Sequence, residues 1–201
     1  CREFGQEAGE KLLPVMLEFY RLCGIRKPEF MGWNQVELDK RKYTKGWSPV
    51  ENTDFSLTEF GGELDRYLES YDAIKKIVSE VESVIPQGRK DAFFAQIKYP
   101  VFGAAAMSVK MLEAQRARCI FPGSCDTTLW TREDRLMAAC AKSIRAYQEI
   151  RELTDYYNNE LSGGKWKYSM CHNPRDLYVF YPPTVPVWLT DNELEKYASL
   201  D

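Results

Sequence analysis

The chain carries one histidine, His172, with Cys171 beside it. A thiol and an imidazole can form a nucleophile–base pair. Neighbouring residues of an extended segment point to opposite faces, so this dyad is sterically poor. No surrounding Ser or carboxylate pattern marks a triad either. His172 therefore reads as structural or exposed. With no second histidine, the Glu-x-x-His pairs of a di-iron bundle cannot be assembled. Gly163-Gly164-Lys165 has the outline of a phosphate loop, but it lacks the upstream glycine and the hydroxyl after the lysine. It also ends a helical pattern rather than opening one, so it reads as a C-cap. Two facing carboxylates could do acid–base work on a glycosidic bond. Here most stand beside Lys or Arg at helical spacings, as a solvated face does. The expectation is no catalytic residue, no cofactor site and no metal site.

The six cysteines fit neither a thiol cluster nor a clean disulfide frame. Cys140 sits on an apolar helical face and Cys23 near a helix end, where both serve as small buried hydrophobes. Cys119 and Cys125 flank a short turn, CIFPGSC, and could bridge. No C-x-x-C or Cys/His cluster points to structural zinc.

The elements that must carry these residues are helical. Phe4, Ala8, Leu12, Val15, Phe19 and Leu22 recur at spacings of four and three, which predicts a helix from about Glu3 to Leu22, closed by Gly24. Pro14 lies inside it and should bend it. A short first helix followed by a longer one is the alternative. Ser56 and Glu59 have capping-box spacing. After them Leu64, Tyr67, Leu68, Tyr71, Ile74, Ile77, Val78, Val81, Val84 and Ile85 mark a seam, with Asp65, Arg66, Lys75, Lys76 and Glu82 facing water. Pro86 and Gly88 stop that helix.

A third helix runs over residues 89 to 118, with Pro100 in its middle. It is roughly 45 Å long if continuous, and a kink is expected at or just before the proline. Ala104, Ala105 and Ala106 follow, where a neighbouring helix can come close. Thr131 and Asp134 cap a fourth helix, aided by Glu133 at the positive end of its dipole. Leu136, Cys140, Ile144, Tyr147, Ile150, Thr154, Tyr157 and Leu161 face inward on it. The expectation is an all-α domain, an antiparallel bundle of four long helices spanning residues 1–201.

Two stretches lack this pattern. Residues 26–60 form a long irregular loop, in which Gln35 to Lys42 could be a short helix. Connections that long are usually functional. Residues 165–201 form an aromatic, proline-rich tail expected to be extended. Together they hold four of the five tryptophans: Trp33, Trp47, Trp166 and Trp188. Docking on a neighbouring domain explains these four better than sugar stacking does, with Trp33, Trp47 and Trp188 as the contact residues. Trp166 is expected to be buried under the end of the fourth helix.

A net charge of -3 and a pI near 5.5 argue against nucleic acid or an anionic membrane as partner. The longest weakly polar run, Pro100 to Val109, is too short to span a bilayer. The chain is patterned from Cys1 onward, with no leader before Phe4. This leads us to expect a processed chain or a piece of a longer one.

Several segments carry a family resemblance. These are Arg26-Lys27-Pro28-Glu29, Ser48-Pro49 through Glu63-Leu64, and Asp91-Ala92-Phe93-Phe94 with Lys98-Tyr99-Pro100-Val101. Gly163-Gly164-Lys165-Trp166 and Pro174-Arg175-Asp176-Leu177 with Val179-Phe180 complete the set. In this order and spacing the chain resembles the helical module of bacterial family 115 glycoside hydrolases, the xylan alpha-1,2-glucuronidases. The resemblance implies a non-catalytic domain between a (β/α)8 barrel, which takes 4-O-methyl-glucuronic acid from xylan, and a β-rich C-terminal domain. It further implies the parent's other domains as partners, xylan bound through the parent, help with homodimer formation, and a periplasmic or extracellular place. Two positions depart from the family pattern. Tyr168 stands where the family often has His, and Ser169-Met170 where it often has a Met pair. The alternative is a free-standing helical binding or scaffold domain.

Overall fold

The computed structural model describes residues 2–28, 31, 52–120 and 132–198. Among them every regular element is helical. Helix α1 spans Gln6–Ile25, α2 Glu63–Val84 and α3 Lys90–Phe93. A π-turn over Phe94–Lys98 leads into α4, Tyr99–Ile120; α5 spans Arg132–Asn159 and α6 Asp191–Ala198. The long helices pack in chain order, α1 on α2, α2 on α4 and α4 on α5, with α6 laid on α5.

Their directions follow from the side chains that tie them. The Tyr67 hydroxyl reaches the carbonyl of Leu22, while Arg89 just beyond α2 pairs with Glu3. Glu82 pairs with Lys98 at 2.7 Å, and Asp65 with Arg116. Ser143 donates to the Lys110 carbonyl at 2.6 Å, and Tyr99 meets Thr154. In each pair the numbers rise on one element as they fall on the other, so all three pairings are antiparallel.

The helical stripes read from the sequence face the core. Ala8, Leu12, Val15 and Leu22 of α1 meet Leu64, Tyr67, Tyr71, Ile74, Val78 and Val81 of α2 and Phe93, Val101, Ala105 and Leu112 of the next strip in one cluster. A second cluster joins Ala117, Cys140, Ala141 and Ile144 to Leu189, Leu194 and Tyr197. Helix α4 lies between two neighbours and is buried nearly all round, as a central helix must be. Ala105 and Ala106 are buried in it at the approach the small side chains allow.

Several boundaries differ from the sequence reading, each for a local reason. Helix α1 runs on through Gly24 to Ile25, because the chain leaves by an extended Arg26 rather than a left-handed glycine. Ser56 does accept from the Glu59 N–H at 2.9 Å, but its own N–H goes to Glu63, and α2 starts there after a left-handed Gly62. Val84 of that seam is exposed, while Ile85 after it is buried. Lys75 and Glu82 do more than face water: Lys75 pairs with Glu149 and Glu82 with Lys98.

The irregularity expected before Pro100 is the π-turn. The Tyr99 N–H bonds to the Phe94 carbonyl, five residues back, so the ladder slips by one residue just before the position that has no donor. The tail departs furthest from expectation. It holds two single 3-10 turns and then α6, whose start is fixed by the Thr190 N–H and hydroxyl on the Glu193 carboxylate at 2.8 and 2.7 Å. That is a capping arrangement, and it gives Leu194 and Tyr197 a face to bury. Trp33, Trp47, Gln35 to Lys42, Cys125, Trp130 and Thr131 lie outside the described residues.

Candidate functional site

Helix α4 carries Ser108, Lys110, Glu113 and Gln115 among its buried residues, and each has a local purpose. Gln115 accepts from the N–H and hydroxyl of Thr53, both at 2.7 Å, and donates to the carbonyls of Thr53 and Phe55. Its amide is fully used in holding the segment that leads into α2. Lys110 is 1% exposed, and its Nζ donates to the carbonyls of Val179 and Tyr181 at 2.5 and 2.7 Å. Burial pulls its pKa down to about 7. Burial likewise raises the Glu113 carboxyl, against the pull of Arg116 at 3.0 Å. Arg118 donates to both Asn52 and the Thr184 carbonyl. Gln115, Lys110 and Arg118 fasten irregular chain to the bundle, while Ser108 and Glu113 bond within α4, to the Ala104 carbonyl and to Arg116.

His172 has a partner that the sequence did not reveal, Asp155 of α5, at 2.9 Å. Seventeen residues and a strained turn separate the two, so no spacing rule could have paired them. The bond anchors the turn, as a structural histidine does, and among the described residues no Ser, Thr or Cys is hydrogen-bonded to the ring. Cys171 is exposed beside it. Among the described residues no three His, Cys, Asp or Glu gather in a way that could hold a metal ion.

The end of α5 is more telling. Ser162, Gly163 and Gly164 follow one another in the left-handed region, at φ 53°, 66° and 77°. They close the helix, which is the capping role read for Gly163 and Gly164. A Cβ on Gly164 would meet the Asn159 carbonyl oxygen at 3.0 Å, so glycine is required there. Leu161 fills the space under the helix end, and the chain turns outward past it. Trp166 was expected to fill that space; it is instead 41% exposed, and Tyr168 is 86% exposed at φ 67°.

The turn is held from below. Asn158 donates to the Met170 carbonyl and accepts from its N–H, both at 2.9 Å. Ser162 donates to Asp91 at 2.9 Å. Elsewhere Trp188 is 58% exposed, and Leu13, Leu17 and Tyr20 are 62–65% exposed on the side of α1 turned away from its core stripe. A groove of about 560 Å³ lies between α1 and α2, with Leu22, Ile25, Phe55 and Tyr67 on its walls and Arg21, Glu63 and Arg66 at its edges.

A solved structure shares this architecture. It is described as a novel family GH115 4-O-methyl-alpha-glucuronidase with specificity for decorated arabinogalactans. The match has 33% identity and a TM-score of 0.69 over 92% of this chain. The chain is related to a GH115 glycoside hydrolase. It spans 21% of the length of that enzyme. No known family profile and no curated protein matches the chain. Among the described residues no helix is long and apolar enough to cross a membrane.

Proposed function

We propose that this chain is a non-catalytic helical module of a GH115-type glycoside hydrolase, built to support a catalytic barrel. The observation that carries this reading is the match itself, near-complete on this side and about one-fifth on the other. The side chains support it: buried Lys110 holds the carbonyls of Val179 and Tyr181, and buried Glu113 pairs with Arg116 on its own helix. The proposed partners are the other domains of the parent polypeptide, with a second subunit beside them, and the contact residues are Trp33, Trp47 and Trp188. The outward stripe Leu13, Leu17 and Tyr20 of α1 fits the same role, because the rest of so long a polypeptide needs a face to pack on.

The parent's substrate is a glycan bearing 4-O-methyl-glucuronic acid, with alpha-1,2-linked xylan as the proposed backbone and decorated arabinogalactan, the relative's specificity, as its rival. Such a substrate places the enzyme in the periplasm or outside the cell. The net charge of -3 gives nucleic acid no role. The test is uronic acid release from glucuronoxylan and from decorated arabinogalactan. The purified chain should release none, while the parent polypeptide releases it from one of them. Turnover by this chain alone, abolished by a point mutation within it, would defeat the proposal.

A further inference from the structure

The turn after α5 has a composition unlike the rest of the molecule. From Leu161 to Cys171 it holds Lys165 and Lys167 and no carboxylate, in a chain of net charge -3. It also holds two exposed rings, Trp166 and Tyr168. The Lys165 ammonium lies 5.1 Å from the Trp166 ring centre, and that of Lys167 lies 5.4 Å from the Tyr168 ring centre. Each cation thus lies over the ring that follows it in the chain, twice over.

The backbone is held in an unfavourable form to do this. Among the described residues Phe60, Ser162, Tyr168, Arg175 and Asp176 are the non-glycine residues at positive φ; Ser162 and Tyr168 belong to this turn, and Arg175 and Asp176 follow it. Left-handed φ costs an ordinary side chain about 1–2 kcal/mol. Helix closure accounts for Ser162, but burial does not account for Tyr168, which is 86% exposed. The Asn158–Met170 pair, the Ser162–Asp91 bond and the His172–Asp155 contact keep the turn in place on the bundle.

We propose that this turn binds an acidic oligosaccharide. The rings of Trp166 and Tyr168 lie against pyranose faces, and Lys165 and Lys167 pair with a uronate carboxylate. Sugars offer the flat C–H faces that exposed rings cover, and a uronic acid adds the negative charge that two lysines on an acidic protein select. This rests on the reading of the chain as part of a glucuronidase-type enzyme, whose substrate presents that chemistry. It goes beyond that reading in giving the module its own contact with the glycan.

Affinity electrophoresis of the purified chain tests it, in gels cast with 4-O-methyl-glucuronoxylan, decorated arabinogalactan or neutral arabinoxylan. Retardation is expected only in a uronate-bearing gel, and it should fade at about 0.5 M salt, where charge pairing is screened. Tyr168→Ala and Trp166→Ala should weaken binding about tenfold, and Lys165→Gln with Lys167→Gln should abolish the preference for the acidic glycan. All four side chains are exposed, and an unchanged melting curve verifies that each variant is folded.

Equal migration in all three gels overturns the proposal, as does wild-type retardation of the ring variants. So does a result in which those variants only loosen association with the rest of the enzyme, which would make the turn a protein-docking surface. The module reading itself fails by a different result, the absence of any glycosidase domain in the parent gene.

Discussion

Lys110, midway along α4, donates to the backbone carbonyl of Val179 at 2.5 Å, sixty-nine positions further along the chain. A second bond reaches the Tyr181 carbonyl, and the Tyr147 ring, 5.5 Å away, is also approached by Arg151. An amine so placed has little to gain from its charge. Its pKa is drawn down to about 7 by burial, against an unfolded value near 10.4. Between about pH 7 and pH 10 the unfolded chain therefore holds a proton that the folded chain lacks, and stability rises with pH by up to about 1.4 kcal/mol per unit. Below about pH 7 both states are protonated and this contribution is flat. Lys110→Met should remove the rise, which urea titrations between about pH 7 and pH 9 would show. Identical slopes for the two proteins would mean that the amine stays charged in place. The buried Tyr67 and Tyr71 and the half-buried Tyr99, whose hydroxyls desolvation pushes up, act with the opposite sign and only at higher pH.

Asn158 makes both of its bonds to a single residue, Met170. Truncation to Ala leaves a backbone N–H and a C=O without partners, at about 1–3 kcal/mol for each group that stays buried. We expect Asn158→Ala to lower stability by about 2 kcal/mol. Amide exchange at residues 162–176 should also speed up, ahead of exchange in α2 and α4. Uniform loss of protection over the whole chain would show that the turn and the bundle open as one unit.

The two glycines of the same turn should behave differently. Gly163 at φ 66° has open space where a Cβ would stand, so Gly163→Ala carries only the left-handed penalty, about 1 kcal/mol. Gly164→Ala adds a 3.0 Å approach to the Asn159 carbonyl oxygen, which is backbone and yields little. It should be the more destabilising of the pair by at least about 1 kcal/mol, measured as the shift in denaturant midpoint at constant slope.

The bundle was legible because burial repeats at the helical period. Leu64 to Val81 and Ala8 to Leu22 were placed on their core faces from spacing alone. What sequence could not supply were contacts between residues far apart in the chain. His172 with Asp155, Lys110 with Val179 and Gln115 with Thr53 each join segments separated by an irregular stretch of chain. A lysine or glutamine on a helix reads as a water-facing residue until the partner carbonyl is in view. Helix α6 was a different failure. Pro174, Pro182, Pro183 and Pro186 argue for extended chain, but all of them precede Thr190, whose cap with Glu193 leaves the eight residues after it free to coil. Trp166 was placed inside because an indole covers so much apolar area. The three left-handed residues before it carry the chain outward, and Leu161 takes the space instead.

The outward stripe of α1 sets the last prediction. Leu13, Leu17 and Tyr20 follow at spacings of four and three, like the core stripe, yet they stand in water, as does Trp188. Among the described residues nothing buries them, so their loss should hardly be felt by this chain alone. Leu17→Gln and Trp188→Ala should change its unfolding free energy by no more than about 0.5 kcal/mol, the usual range for surface positions. If these side chains are anchors against the remainder of a longer enzyme, each should cost that association more than about 1 kcal/mol, the level that marks an interface anchor. Mixing the purified chain with the rest of the parent polypeptide and measuring complex formation by sedimentation separates the two effects. Trp33→Ala and Trp47→Ala belong in the same series. Variants that unfold the isolated chain would identify core residues, and variants that leave the complex as tight as before would remove α1 and the indoles from the docking face.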